Sequence, residues 1–166
     1  MPARSPTQFP DLTPPPGWTG VSHPPQVRLL PPGTTLDTAK ATIIVSPVAA
    51  RLPAFPPPRA LVEAAIAAEA GHSLDILEKR GPEPAPSDWA LEGIAYQVRA
   101  RERDGGSEQR RIYAVYYDDR FLYGVSYLGF GAAYDEHLPA FWATARSIRP
   151  FAGQVVPSGS SPAPVD

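Results

Sequence analysis

The pattern of apolar and polar positions predicts a series of strands, most of them in the second half of the chain. Three consecutive segments are rich in aromatic and β-branched residues, which favour strands: 89–101, 110–117 and 121–130. Shorter segments of the same kind precede them at 27–30, 41–48 and 73–78. Because turn-forming residues join the last three segments, we expect those segments to form an antiparallel meander.

Two other segments change to a helical period. The first lies between Pro58, which suits a helix start, and Gly71, which suits a helix end. The second covers 136–147, with Asp135 as its cap and Pro139 in its first turn. Its apolar residues recur at helical spacing: Leu138, Phe141, Trp142, Ala145 and Ile148. The sequence therefore predicts an α+β fold, with a mostly antiparallel sheet of about five to six strands and two main helices.

The turns of the meander predict a strand register. A two-residue loop at Gly105-Gly106 would pair Val98 with Tyr113, and a three-residue loop at 118–120 would pair Tyr113 with Val125. Both loops place one set of aromatic and β-branched side chains on a single sheet face, which we expect to be buried. Its members are Ile94, Tyr96, Val98, Tyr113, Val115, Tyr117, Phe121, Tyr123 and Val125.

The opposite face of the meander is predicted to bind a partner. A face fully buried by a helix would not need a charged residue, and a face fully in water would not need several large apolar ones. We therefore predict a half-covered surface that accepts an apolar or amphipathic segment of another protein. Its contact residues are Ile112, Tyr116, Leu122, Leu128 and Arg99, beside the small residues Ala114, Gly124 and Ser126. The alternative is that one of the protein's own helices covers this face.

Proline content suggests where the domain begins and ends. The chain has 166 residues and 23 prolines, and proline is disfavoured inside helices and sheets. Residues 1–16 and 153–166 are proline-rich and aperiodic, so we predict disordered tails around a single domain at 17–152. Deleting residues 1–15 and 154–166 should then leave the fold intact. The first residues lack the apolar core of a signal peptide and no apolar run is long enough to span a membrane, so we expect a cytoplasmic protein without membrane insertion.

Composition and residue spacing argue against catalysis and cofactors. The net charge is −2, which does not favour nucleic acid. The chain has no cysteine, and His23, His72 and His137 are not spaced as metal ligands. The carboxylate pairs at 118–119 and 135–136 lie in a predicted turn and at a predicted helix start, where acidic residues have structural roles. We therefore predict no catalytic residue, no metal and no cofactor.

A basic cluster lies on the first hairpin of the meander. It consists of Arg99, Arg101, Arg103, Arg110 and Arg111. Such a patch could bind RNA, phosphate or an acidic protein. Acidic residues interrupt the cluster, so cross-strand ion pairs on a solvated hairpin are the simpler interpretation.

The predicted elements also follow one another in a familiar order. Gly17-Trp18 precedes the first strands, ATIIVSP at 41–47 leads into a helix, and after the meander the chain closes on Phe141-Trp142 and Ser147-Ile148. Over about residues 17–150 this order resembles the PsbP-like α/β/α sandwich superfamily. That superfamily includes an extrinsic subunit of photosystem II, a Ran-binding nuclear import factor and the Eag-type chaperones of bacterial secretion effectors. The resemblance implies a sandwich fold and a non-enzymatic adaptor or chaperone, with the secretion-chaperone branch as one option.

Three hypotheses about function follow. The first, which we adopt, is a protein-interaction module, adaptor or chaperone-like, whose sign would be an exposed apolar patch on the sheet. The second is a small-ligand-binding or sensory domain, whose sign would be a large apolar pocket with convergent polar groups. The third is an enzyme with an unrecognised site, whose sign would be a strongly shifted pKa of a buried carboxylate or histidine in a cleft.

Overall fold

The computed structural model describes residues 8–51 and 56–152 and contains eight strands and two helices in this part of the chain. The strands are β1 (Thr19–His23), β2 (Gln26–Leu30), β3 (Ala41–Val45), β4 (Ala49–Ala50), β5 (Leu74–Pro84), β6 (Glu92–Glu102), β7 (Glu108–Tyr117) and β8 (Phe121–Gly129). The helices are α1 (Pro58–His72) and α2 (Ala132–Arg146). The α+β class with two helices is therefore confirmed.

All strands belong to one antiparallel sheet in the order β1-β2-β3-β8-β7-β6-β5, and β4 pairs with β8 outside this path. The sheet has eight strands, so the prediction of about five to six was too low. β1 was missed because its sequence TGVSH has little apolar alternation and its side chains are mostly exposed. β4 was missed because it has only two residues.

The two helices cover opposite faces of the sheet, as alternation along β7 shows. Tyr113 and Val115 pack in a cluster with Val62 and Ile66 of α1. Ile112 and the other residues of β7 that alternate with these two pack in a second cluster with Phe141 and Ala145 of α2. The layers are therefore helix, sheet and helix, and each sheet face can be named by the helix that lies on it: the α1 side and the α2 side.

The strand register differs from the predicted one at both hairpins. Val98 pairs with Arg111 rather than with Tyr113, a shift of two residues that leaves both faces unchanged. Tyr113 pairs with Ser126 rather than with Val125, and this shift of one residue turns β8 over. The cause lies in the turn at 118–120, where the Asp118 N–H donates to the carbonyl of Phe121 at 3.2 Å, so that Tyr117 pairs with Leu122. The Asp118 carboxylate also accepts hydrogen bonds from the backbone N–H groups of residues 120 and 121, both at 2.8 Å. A one-residue slip exchanges the two faces of a strand, so the expected nine-residue face is divided between the two sides of the sheet.

α2 begins four residues earlier than the sequence pattern suggested, after Gly131. Pro139 consequently lies inside the helix and not in its first turn, and Asp135 lies in the first turn and not at the cap. The predicted apolar stripe is nevertheless confirmed at its centre, since Phe141 and Ala145 are fully buried.

Residues 8–16, here called the N-terminal strap, pack along the α2 side of the domain. The backbone N–H of Val48 donates to the carbonyl of residue 8 at 2.8 Å, and the N–H of Arg149 donates to that of Asp11 at 2.9 Å. Phe9 and Leu12 pack against the α2-side cluster. The folded part therefore begins earlier than the boundary predicted at residue 17. Residues 1–7 and 153–166, which we predicted to be disordered, lie outside the described residues.

Candidate functional site

The structure does not bring the five predicted partner-binding residues together. Ile112 and Tyr116 lie on the α2 side and are almost fully buried. Leu122 lies on the α1 side within the α1 cluster, and Leu128 is half-buried on the same side. Arg99 lies on the α2 side next to the edge strand. The reversal of β8 separates the two leucines from the other three residues, and whether any of the five contacts another molecule stays a prediction.

α1 is held over β6 and β7 by polar contacts. The Tyr113 hydroxyl donates to Glu69 at 2.7 Å, and Arg111 donates to the same carboxylate. The Tyr96 hydroxyl donates to Glu63 at 2.8 Å, and this hydrogen bond lowers the pKa of Glu63. Burial raises the pKa of both tyrosines, so their hydroxyls stay protonated as donors.

The α1 side of the sheet extends beyond the strands against which α1 packs, which are β5, β6 and β7. We call this region on β2, β3 and β8 the open half-face. It consists of Arg28, Thr42, Ile44, Gly124, Ser126 and Leu128. Ile44 lies between Arg28 and Ser126 in the strand register, and Thr42 lies beside Leu128. Most of these side chains are neither fully buried nor fully exposed.

Arg28 is the unusual residue of the open half-face. Its Nε atom is buried and has no hydrogen-bond partner among the described residues. Burying a guanidinium nitrogen without a partner costs free energy, so such a group calls for an explanation. Of the arginines around the sheet, Arg99, Arg110 and Arg146 each have a carboxylate within 3.0 Å. The Arg28 Nε donor is therefore left unused by the described residues.

Two small residues give the open half-face a shallow floor. Gly124 has no side chain, and its nearest side chain is the small Ser46, which would lie 3.4 Å from a Cβ atom placed on Gly124. Ser126 follows on the same face, and Ile44 and Leu128 flank it on β3 and β8. This arrangement of small residues between apolar ones permits close approach of an added chain segment.

The arginines of the basic hairpin form ion pairs, which is what the simpler of the two interpretations predicted. Arg99 donates to Glu108 at 2.9 Å, and Arg101 lies 3.6 Å from the same carboxylate. The hydrogen bond from Arg99 lowers the pKa of Glu108. The rest of the cluster is paired as well: Arg103 with Asp75, Arg110 with Asp135 and Arg111 with Glu69. The pairs of Arg99, Arg101 and Arg103 are exposed, join neighbouring strands and contribute little stability each. Those of Arg110 and Arg111 join β7 to the two helices.

Other candidate chemistry has structural roles in the described part of the chain. Asp118 closes the turn before β8. His137 packs edge-on against Trp18, with 5.3 Å between ring centroids. Residues 8–51 and 56–152 contain no group of three or more His, Asp or Glu side chains that could hold a metal ion. Of the helices in these residues, none has both the length and the apolar character needed to cross a membrane.

Sequence reasoning missed the β2 and β3 residues of the open half-face. The signal was present in the alternation of VRLL at 27–30, which places Arg28 on the face opposite Leu29. Leu29 lies in the α2-side cluster, so Arg28 points to the α1 side. The pairing of β3 with β8 was not predicted, and without it Arg28 could not be placed near Leu128.

Solved structures with a similar fold share little sequence with this chain. A protein of unknown function from Pseudomonas aeruginosa, PA94, superposes with a TM-score of 0.47 at 9% identity, over 82% of this chain and 99% of its own. PsbP from the cyanobacterium Synechocystis sp. PCC 6803, CyanoP, superposes with a TM-score of 0.49 at 13% identity, over 80% of this chain and 81% of its own. A PsbP protein is therefore among the structures that this chain resembles, and the likeness concerns the fold alone. No family model and no curated protein matches the sequence.

Proposed function

We propose that this protein is a non-catalytic interaction module that binds an amphipathic segment of another protein on the open half-face. The observation that carries the proposal is the buried Nε of Arg28, which has no partner among the described residues and lies near the half-buried Ile44 and Leu128. The segment would place apolar side chains on Ile44 and Leu128 and one carboxylate on the Arg28 guanidinium. A charge-assisted hydrogen bond of this kind is stronger than one between neutral groups.

The chemistry of the open half-face supports a binding role over a catalytic one. Its six residues are one arginine, two aliphatic residues, two hydroxyl-bearing residues and one glycine, with no carboxylate or histidine among them. The carboxylates whose pKa shifts, Glu63 and Glu108, are exposed and shift downward because of hydrogen bonds from Tyr96 and Arg99. General acid–base catalysis by a carboxylate is most efficient when its pKa is raised toward the working pH, which is the opposite direction.

Photo-crosslinking in cells tests which molecule occupies the open half-face. A benzoylphenylalanine at position 21 lies at the rim, because Val21 pairs with Arg28 on the edge strand. We expect it to crosslink to a segment of another protein that contains an aspartate or glutamate, whereas the same group at position 36, an exposed leucine, should not. Crosslinks found only within the chain's own residues would mean that the chain covers its own open half-face, and would contradict the proposal.

A substitution at Leu128 tests the apolar contact of the bound segment. Leu128→Glu should weaken binding of the crosslinked segment, synthesised as a peptide, by about tenfold or more, because a carboxylate would replace an apolar contact and be desolvated. The matched control is Leu77→Glu, since Leu77 is exposed on the distant edge strand β5. Isothermal titration calorimetry measures both affinities, and equal losses in the two variants would refute the proposed contact. Leu122 is unsuitable for this test because it is buried in the α1 cluster.

A further inference from the structure

A second region, on the α2 side of the sheet, gathers arginines around a groove. We call it the arginine groove and define it by Glu78, Arg80, Gln97, Arg99, Arg110 and Tyr134. The strand register aligns Glu78, Arg99 and Arg110 in one row across β5, β6 and β7, and it places Arg80 opposite Gln97 in the next row. The space between these side chains is about 240 Å³. It is open to solvent on the side of the edge strand β5.

The close approach of α2 to β8 forms one wall of this groove. A Cβ on Gly129 would lie 2.7 Å from the backbone of Tyr134, so the absence of a side chain lets the first turn of α2 sit directly on the strand. Tyr134 then lies over the Arg110 guanidinium, 4.0 Å from the ring centroid. Arg110 pairs with Asp135 at 2.7 Å, and these contacts fix both side chains on the wall.

One arginine of the groove, Arg80, has no carboxylate partner among the described residues. Arg99 is balanced by Glu78 and Glu108, and Arg110 is balanced by Asp135. Arg80 has only the neutral side-chain oxygen of Gln97, at 3.3 Å, as a partner among the described residues. Tyr134 and the paired Arg110 line the same space as Arg80. The groove therefore holds one guanidinium that the described residues leave without a carboxylate.

We infer that the arginine groove binds a single oxyanion group, a carboxylate or a phosphate, of a small ligand. The Arg80 fork would donate two parallel hydrogen bonds to the anion, the geometry for which guanidinium is suited. The Gln97 amide and the Tyr134 hydroxyl would complete its surroundings. A volume of 240 Å³ lies below the range of about 300–1,000 Å³ typical of pockets that enclose a drug-sized ligand, which favours one small group over a whole cofactor. This inference is independent of the proposed function, because the groove lies on the other side of the sheet.

The test is a titration of the full chain with inorganic phosphate and, separately, with acetate, at constant ionic strength set by chloride. Chemical shifts of backbone amide and arginine side-chain groups, measured by nuclear magnetic resonance, report anion binding at the arginine groove. We expect saturable shifts at Arg80, Gln97 and Arg110, and about tenfold weaker binding in Arg80→Gln. The matched control is Arg120→Gln, whose guanidinium lies over the ring of Phe121 away from the groove and should leave the affinity unchanged.

Each outcome of the titration decides the inference. Saturation by phosphate alone assigns a phosphoryl ligand, and saturation by both anions assigns a carboxylate-bearing or phosphoryl-bearing ligand. Shifts that grow linearly without saturation, or an equal loss of affinity in Arg80→Gln and Arg120→Gln, would overturn the inference. Circular dichroism confirms that both variants are folded, and because both positions are exposed we expect them to be.

Discussion

Phe141→Ala should lower the free energy of unfolding by about 3–5 kcal/mol. Phe141 is fully buried at the centre of the α2-side cluster. Its ring stacks on Tyr127 with 5.2 Å between centroids and meets Trp142 edge-on at 5.0 Å. Alanine would leave a cavity between α2 and β8 that these rigid aromatic neighbours cannot fill. Urea denaturation followed by circular dichroism measures the loss.

Trp142→Ala serves as the matched control for this prediction. The sequence pattern suggested that Trp142 and Phe141 together seal the sheet, but Trp142 is only half-buried at the rim of the cluster. Its replacement should therefore cost less than that of Phe141. If Trp142→Ala were the more destabilising of the two, the orientation of α2 described above would be wrong.

Deletion of residues 1–16 should destabilise the domain by about 2 kcal/mol or more. The deletion removes the N-terminal strap and with it the packing of Phe9 and Leu12, each a side chain whose full burial is worth about 1.5–3 kcal/mol. It also removes the backbone acceptors of Val48 and Arg149. This expectation reverses the prediction from composition that the first residues are dispensable. Thermal and urea unfolding of the truncated chain measure the effect.

Deletion of residues 1–7 alone is the control for the N-terminal strap. Their composition predicts disorder, so their removal should change the free energy of unfolding much less than removal of 1–16. A chain without residues 1–16 that is as stable as the full chain would show that the N-terminal strap contributes nothing to the fold. In that case the boundary at residue 17 predicted from composition would stand.

The elements of the fold could be predicted from the sequence because their signals are local. The helical spacing of Phe141, Ala145 and Ile148 identified the buried face of α2, and all three are fully buried. The β-branched and aromatic segments identified β6, β7 and β8 to within a few residues. Local periodicity reports which residues point the same way within one element.

The candidate site could not be predicted because it depends on register and on distant contacts. Backbone and side-chain hydrogen bonds of Asp118 close the turn before β8 and shift the pairing of β7 with β8 by one residue. That one-residue shift moves Leu122 and Leu128 to the side opposite Ile112. The proline content of the N-terminal strap predicted a disordered tail, whereas Pro10 and Pro15 are buried. The strap is also bonded through its residues 8 and 11 to Val48 and Arg149, which are distant in sequence.

A double-mutant cycle between Arg28 and the carboxylate of the bound segment tests the proposed function most directly. The cycle uses two proteins, the wild-type chain and Arg28→Gln, and two peptides. One peptide is the crosslinked segment, and the other is the same segment with its acidic residue changed to the amide. The affinity of each protein for each peptide is measured. If the guanidinium and the carboxylate meet on the open half-face, we expect a coupling energy of about 1.5 kcal/mol or more, as close charge pairs at interfaces show. A coupling energy below about 0.3 kcal/mol, within the additivity of independent sites, would contradict the proposal.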